Sequence, residues 1–206
     1  MLARLPEEAA RSEGRAAKLE DIVAARGETS TAGQMSDERR RYVIGLGANL
    51  GDRLSTLQSA IRALASCGEV LVVSDLYESA AFGPPQPDYL NAAALLESGF
   101  SPMELLEALL EIERQHGRER RERWGPRTLD LDVLYSPGLR LVTPGLTLPH
   151  PELRRRAFAL KPLVDVLAEA RDPSSNTLYA QVLAALQGQQ LRRFETVANW
   201  CPGRAE

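Results

Sequence analysis

Arg118-Glu-Arg-Arg-Glu-Arg-Trp-Gly-Pro-Arg-Thr-Leu-Asp-Leu-Asp-Val-Leu-Tyr135 sets five arginines and a tryptophan directly before two aspartates spaced one residue apart. From Leu129 the residues alternate in an apolar, β-prone run, and in a strand residues i and i+2 share a face. Asp130 and Asp132 therefore point the same way, with Cα atoms roughly 6–7 Å apart. Two carboxylates on one face suit a hard cation such as Mg2+, which needs only one or two protein carboxylates when substrate phosphates and water complete its shell. Arg118, Arg120, Arg121, Arg123 and Arg127 add donors of the kind phosphate oxygens take. On these residues alone a solvated Asp-x-Asp face with an Arg-rich turn remains open as the alternative. Trp124-Gly-Pro-Arg127, an indole beside a rigid turn and a guanidinium, adds a stacking wall for a flat ring and favours a nucleotide-phosphate site.

The stretch Arg123-Trp-Gly-Pro-Arg127-Thr-Leu-Asp130-Leu-Asp132-Val-Leu resembles the signature of 6-hydroxymethyl-7,8-dihydropterin pyrophosphokinase, an enzyme family of folate biosynthesis that moves pyrophosphate from ATP to a pterin alcohol. The resemblance runs from about Tyr42 into the C-terminal region. It implies a ferredoxin-like fold, a mostly antiparallel sheet flanked by helices. It also implies in-line displacement at the β-phosphorus, with the pterin hydroxymethyl oxygen attacking and AMP leaving. Two Mg2+ ions held by Asp130 and Asp132, ~3.5–4 Å apart, would align the phosphates. Arg118 and Arg127 are the expected stabilisers of transition-state charge.

Outward from this stretch, the first expected element is a strand over Tyr42–Leu46, turning through Gly47-Ala-Asn-Leu-Gly-Asp52. Gly45-x-Gly47 lacks a P-loop lysine and the dinucleotide spacing, and reads as part of a structural turn. Leu54, Leu57, Ile61 and Leu64 recur at helical spacing, with Gly68 as the stop. A strand is expected over Val70–Tyr77, a loop over Glu78–Asp88 because of Gly83-Pro-Pro85 and Pro87, and a third strand over Tyr89–Leu96. Tyr89 and Asn91 share a face and offer donors and acceptors to a heterocycle edge, while a core tyrosine beside a turn asparagine would look the same. The resemblance implies a pterin pocket of Ser79, Ala80, Phe82, Tyr89, Asn91, Trp124 and Phe158.

Ser101-Pro-Met-Glu104 is a capping box with proline at the first helical position. Leu105, Leu106, Leu109, Leu110 and Ile112 form the apolar face of the helix it starts, and Gly117 ends it. Glu113 reads either as a surface acid or, by the resemblance, as a contact on the adenosine side. Beyond Ser136-Pro-Gly138 a short strand is expected over Leu139–Val142. His150, beside proline, is on its own a turn residue. The resemblance assigns the ATP side to Leu110, Glu113, Arg123, Arg127, Val133, Thr147, His150 and Arg156. Three residues depart from the family pattern: Leu110 where a polar contact is expected, Gly145 in place of an arginine, and Pro151 in place of a tyrosine. Helices over Leu160–Ala170 and Thr177–Leu186 complete a two-layer α/β sandwich.

The chain has 206 residues, 44% apolar and 26% charged, with a formal net charge of −3. That size supports one well-cored domain, expected over residues 41–200, with a flexible extension over 1–40 too poor in large apolar groups to pack and a tail over 201–206. An acidic balance opposes a nucleic-acid module built on the Arg cluster, and the length opposes a glycosyltransferase built on Asp-x-Asp. Cys67 and Cys201 fit no metal spacing and are expected as free thiols. No apolar run approaches the ~20 residues that span a bilayer. The expected protein is a cytoplasmic monomer using ATP, Mg2+ and the pterin, with no nucleic-acid or membrane partner.

Overall fold

In the computed structural model, residues 39–81, 83–117, 125–186, 188–194 and 200 are described. β1 (Arg40–Ala48) is an inner strand, buried on both faces from Tyr42 onward except at the half-buried Gly45. It pairs antiparallel with β4 (Tyr89–Ser98) on one side and β5 (Asp130–Tyr135) on the other. β2 (Glu69–Val73) and β3 (Tyr77–Ser79) both pair with β4, and β3 pairs in turn with β8 (Leu191–Arg193). Helix α1 (Arg53–Leu64) follows β1, and α2 (Pro102–Gln115) links β4 to β5. The antiparallel order β5-β1-β4-β3 with helices after β1 and β4 is the ferredoxin-like arrangement expected from the sequence.

The first two helices start at side-chain caps. Asp52 accepts from the Ser55 amide at 3.0 Å, and Ser101 and Glu104 form a complete capping box. α1 buries Leu57, Ala60, Ile61 and Leu64, and α2 buries Leu105, Ala108, Leu109 and Ile112, all against one sheet face through Tyr42, Ile44, Leu46, Leu131 and Val133. Leu106 and Leu110, expected on that apolar face, are only half-buried. The helix α1 ends at Leu64, before Gly68, whose place is explained by close approach: a Cβ there would lie 2.3 Å from the Glu97 carbonyl oxygen.

α3 (Ala157–Val166) and α4 (Tyr179–Ala185) cover part of the opposite face, packing Leu160, Leu163, Val166 and Tyr179 on Val43, Ala93, Leu95 and Leu134. α3 begins three residues earlier and ends four residues earlier than the apolar run Leu160–Ala170 suggests. Pairing also corrects several strand limits. The strand expected over Val70–Tyr77 is broken at Ser74, whose hydroxyl accepts the Ala93 amide at 2.9 Å and whose carbonyl accepts the Trp200 indole N–H at 2.9 Å. The strand resumes as β3, so Glu78 and Ser79 belong to the sheet rather than to the loop. The strand expected at Leu139–Val142 is one arm of a hairpin, β6 (Leu141–Thr143) and β7 (Leu146–Leu148). Gly145 sits in its turn at φ 99°, a conformation that favours glycine and accounts for the departure noted there.

Candidate active site

Strand alternation sends Gly45 and Gly47 of β1, Asp130 and Asp132 of β5, and Tyr89 and Asn91 of β4 to the sheet face opposite α1 and α2. Register then sets them side by side: Asp130 opposes Gly47, Asp132 opposes Gly45, and Gly47 opposes Asn91. Successive strands ~4.8 Å apart put the carboxylate strand about 10 Å from the Asn91 strand, with bare backbone between. This corrects the reading of Gly45-x-Gly47 as turn: β1 continues to Ala48, and the glycines are the floor of a cavity of ≈ 420 Å³. Such a volume is that of a small-ligand site.

On one side of the cavity, Asn91 is buried and donates through Nδ2 to the Tyr77 carbonyl at 3.1 Å and the Ser79 hydroxyl at 3.0 Å. Its Oδ1 stays beside the floor, 3.7 Å from where a Cβ on Gly47 would be. Ser79, Ala80 and Tyr89 line the same side, and Phe158 enters from α3. The N-terminus of α3 is held by Gln189, which accepts from the Ala157 amide at 2.8 Å and donates to the Arg155 carbonyl at 2.7 Å. Of the expected pterin pocket, Ser79, Ala80, Tyr89, Asn91 and Phe158 thus converge, while Phe82 and Trp124 lie outside the described residues.

On the other side, Arg127 Nη1 donates to Asp130 Oδ1 at 2.5 Å. Burial works against the Arg127 charge, but the neighbouring Asp130 outweighs it and raises the guanidinium above its ordinary range. His150 and Arg156 complete this wall, with Glu152 between them. The Glu152 amide donates to His150 Nδ1 at 3.2 Å, which leaves Nε2 to carry the proton of the neutral ring. The Arg156 guanidinium stands 5.8 Å from the Phe158 ring centroid and 4.0 Å from the Glu152 carboxylate. Arg118 and Arg123 lie outside the described residues.

Four residues expected on the ATP side do not line the cavity. Val133 is 2% exposed and faces α1 and α2 in the core, because it alternates with Asp132 and Leu134. Glu113 is 1% exposed, which rules out a surface acid, and its Oε1 accepts the Leu131 amide at 2.7 Å. It holds β5, the strand of the two aspartates. Leu110 is half-buried on α2, and Thr147 is half-buried in the β6–β7 hairpin.

Asn49, quoted only as part of a turn, joins both walls. It is 2% exposed, accepts the Arg127 amide at 2.7 Å, and donates to Gln86 Oε1 at 2.9 Å and the Pro87 carbonyl at 3.1 Å. Glu152, Pro151 and Gly125 also line the cavity without having been singled out for it, since each takes its place through loop packing. The Gly45-x-Gly47 spacing was the one available signal for the floor, being in phase with a strand face.

Among the described residues no group of three or more His, Cys, Asp or Glu is poised to hold a metal. Two carboxylates on one wall fit Mg2+, which takes its remaining ligands from phosphate and water. No helix among the described residues is long and apolar enough to cross a membrane.

Residues 43–168 match the family model for 7,8-dihydro-6-hydroxymethylpterin-pyrophosphokinase (HPPK). The chain is 46% identical over 143 residues to the 2-amino-4-hydroxy-6-hydroxymethyldihydropteridine pyrophosphokinase of Synechocystis sp., covering 68% of this chain and 73% of that one. It is 39% identical over 158 residues to the enzyme of the same name from Pseudomonas aeruginosa, covering 75% and 97%. With the mitochondrial folate synthesis bifunctional protein of Arabidopsis thaliana it shares 41% over 147 residues, 70% of this chain but 26% of that one. Among solved structures, Plasmodium falciparum HPPK-DHPS with pterin and p-hydroxybenzoate superposes with a TM-score of 0.59 at 12% identity, over 73% of this chain and 44% of that one. The chain thus spans less than half of those two longer proteins, and its likeness to the Plasmodium structure is one of fold.

Proposed function

The chain belongs to the 7,8-dihydro-6-hydroxymethylpterin-pyrophosphokinase family, and on that premise we propose how its residues divide the work of the reaction. The enzyme transfers pyrophosphate from ATP to the hydroxymethyl group of 6-hydroxymethyl-7,8-dihydropterin, a step of folate synthesis. The pterin oxygen forms a bond to the β-phosphorus, the bond from that phosphorus to the α,β-bridging oxygen breaks, and AMP departs. The hydroxyl proton passes from the pterin oxygen to solvent water.

One observation carries the division of labour: Asp130 and Asp132 face the cavity on one strand while Asn91 and Tyr89 face it two strands away and Ser79 three strands away. The pterin takes the Asn91 side, where Asn91 Oδ1 accepts from a heterocycle N–H and the Phe158 ring stacks on its face. Arg127, His150 and Arg156 take the phosphates, two as bidentate donors and His150 through Nε2–H. Asp130 and Asp132 would hold Mg2+, which when bound offsets phosphate charge and acidifies the attacking hydroxyl. Arg127 then serves two partners, its nearby carboxylate and the phosphate whose charge grows in the transition state. Tyr89 and the bare glycine floor let the ring lie flat against backbone and exclude water from beneath it. The enzyme works as a cytoplasmic monomer; sedimentation of the purified chain tests its association state, and fractionation of cells that express it tests its location.

The reaction is tested by incubating the protein with ATP, Mg2+ and the hydroxymethyl dihydropterin and separating the nucleotides. AMP and diphosphorylated pterin in equal amounts, formed only when pterin is present, are expected. Pterin-dependent ADP, or ATP consumption that ignores the pterin, overturns the assignment.

A further inference from the structure

A charge cluster outside the cavity spans both stems of the loop that joins Ser79 to Tyr89, two residues of the cavity wall. Glu78 lies on β3 next to Ser79 and points to the opposite sheet face, its side chain 11% exposed. Arg53, the first residue of α1, donates from Nη2 to Glu78 Oε1 at 2.9 Å and from Nη1 to the Asp88 carbonyl at 2.7 Å. Arg192 of β8 pairs with the other Glu78 oxygen. Ser79 opposes Tyr89 and Glu78 opposes Leu90, so the two anchor points of Arg53 are the exit from β3 and the entry to β4. The segment between them, from Ala80 to Asp88, leads into Tyr89 and carries Pro84, Pro85 and Pro87, whose nitrogens have no proton to give to a strand ladder.

We infer that Arg53 is a positioning residue for the pterin, clamping the base of the 80–88 loop from behind the sheet so that Ser79, Ala80 and Tyr89 keep their places in the cavity. A guanidinium is the one side chain whose rigid fork reaches a carboxylate and a carbonyl at once, whereas an ammonium is a point charge. Arg192 braces the same carboxylate from the C-terminal strand, so β8 supports the substrate wall without touching it. Both arginines pull the Glu78 carboxyl below its usual range, Arg192 most strongly, against the opposing effect of burial. An exposed ion pair contributes little by itself, but Arg53 is only 25% exposed and its bond to the Asp88 carbonyl is a second, independent hold. Local opening of a loop is governed by such few contacts rather than by the stability of the whole domain.

This inference rests on the function proposed above, and the experiment separates the two. Pterin affinity is measured by calorimetry with Mg2+ and a non-hydrolysable ATP analogue, nucleotide affinity without pterin, and amide exchange over residues 80–91 in the ligand-free protein. Arg53→Met is expected to raise the pterin Kd by about fivefold or more, as for coupled neighbours in one network, to leave the nucleotide Kd unchanged, and to speed exchange in the loop. Arg53→Lys, which keeps the charge and the fold, is expected to fall between wild type and Arg53→Met. Unchanged pterin affinity and loop exchange in both variants overturns the clamp, and so does an equal loss of pterin and nucleotide affinity. Failure of the wild-type protein to bind pterin overturns the function instead, while the exchange comparison still decides the clamp.

Discussion

Replacing Asn49 with alanine should disable both walls of the cavity at once. The side chain makes three hydrogen bonds, to the Arg127 amide, Gln86 Oε1 and the Pro87 carbonyl, at 2.7, 2.9 and 3.1 Å. At about 1 kcal/mol net for each, their loss amounts to about 3 kcal/mol. The part that unfastens the two loops appears as local opening rather than as global instability. If all of it fell on the transition state, kcat/KM would drop by about 150-fold, which is the ceiling. Asn49→Asp keeps the acceptor for Arg127 and loses both donors, setting a carboxylate against the Gln86 and Pro87 oxygens. It should spare nucleotide affinity and weaken that of the pterin, whereas Asn49→Ala weakens both. Steady-state kinetics with each substrate varied, together with urea unfolding, provides the readout. Wild-type kcat/KM for both substrates in Asn49→Ala would refute the idea that this residue joins the walls.

Asp130→Asn or Asp132→Asn should abolish turnover while leaving the melting temperature within a few degrees of wild type, because both carboxylates face the cavity rather than the core. Retained activity at limiting Mg2+ in either variant would remove the metal role. Gly47→Ala should be stable, even gaining about 0.5–1 kcal/mol from the less flexible unfolded chain. Its Cβ would meet Tyr89, Asn91 and Asp130 atoms only at 3.5, 3.7 and 3.9 Å. The methyl nonetheless raises the floor, so the pterin KM should rise while the melting temperature does not fall. Gly45→Ala would instead bring a Cβ to 2.9 Å from Leu134 Cδ1 and should cost about 1 kcal/mol, read in urea unfolding. For pH, burial pushes the Asp172 carboxyl up, but the Ser174 and Ser175 amides and Arg154 outweigh it and hold it below the usual carboxylate range. A lowered folded pKa stabilises fully above the unfolded value of about 4 and is lost as pH falls through the folded value. Melting temperatures of wild type and Asp172→Asn should therefore differ at pH 7 and converge toward pH 2; a gap that persists in acid would show that the effect is not ionic.

How much of this was legible in the chain depends on the range of each interaction. Asp52, Ser101 and Glu104 start their helices through bonds within four residues, so those starts follow from the sequence alone. The common face of Asp130 and Asp132 follows from the two-residue period of a strand. The family followed from the Arg123–Leu134 signature, and with it the antiparallel sheet and flanking helices. Only the tertiary structure decided what those faces meet. Gly45 and Gly47 become a floor because the pairing of β1 with both β4 and β5 sets them between the carboxylates and Asn91, a relation spanning more than forty residues of chain. Glu113 was ambiguous because nothing within α2 shows that the Leu131 amide waits across a loop for its carboxylate. β8 escaped because three residues cannot display a period, and its strand exists only where the edge of β3 offers partners. Caps and alternation are written locally because their hydrogen bonds and side-chain directions are local. Cavities, braces and edge strands form between segments whose meeting depends on the burial of the whole core, and no short stretch encodes that.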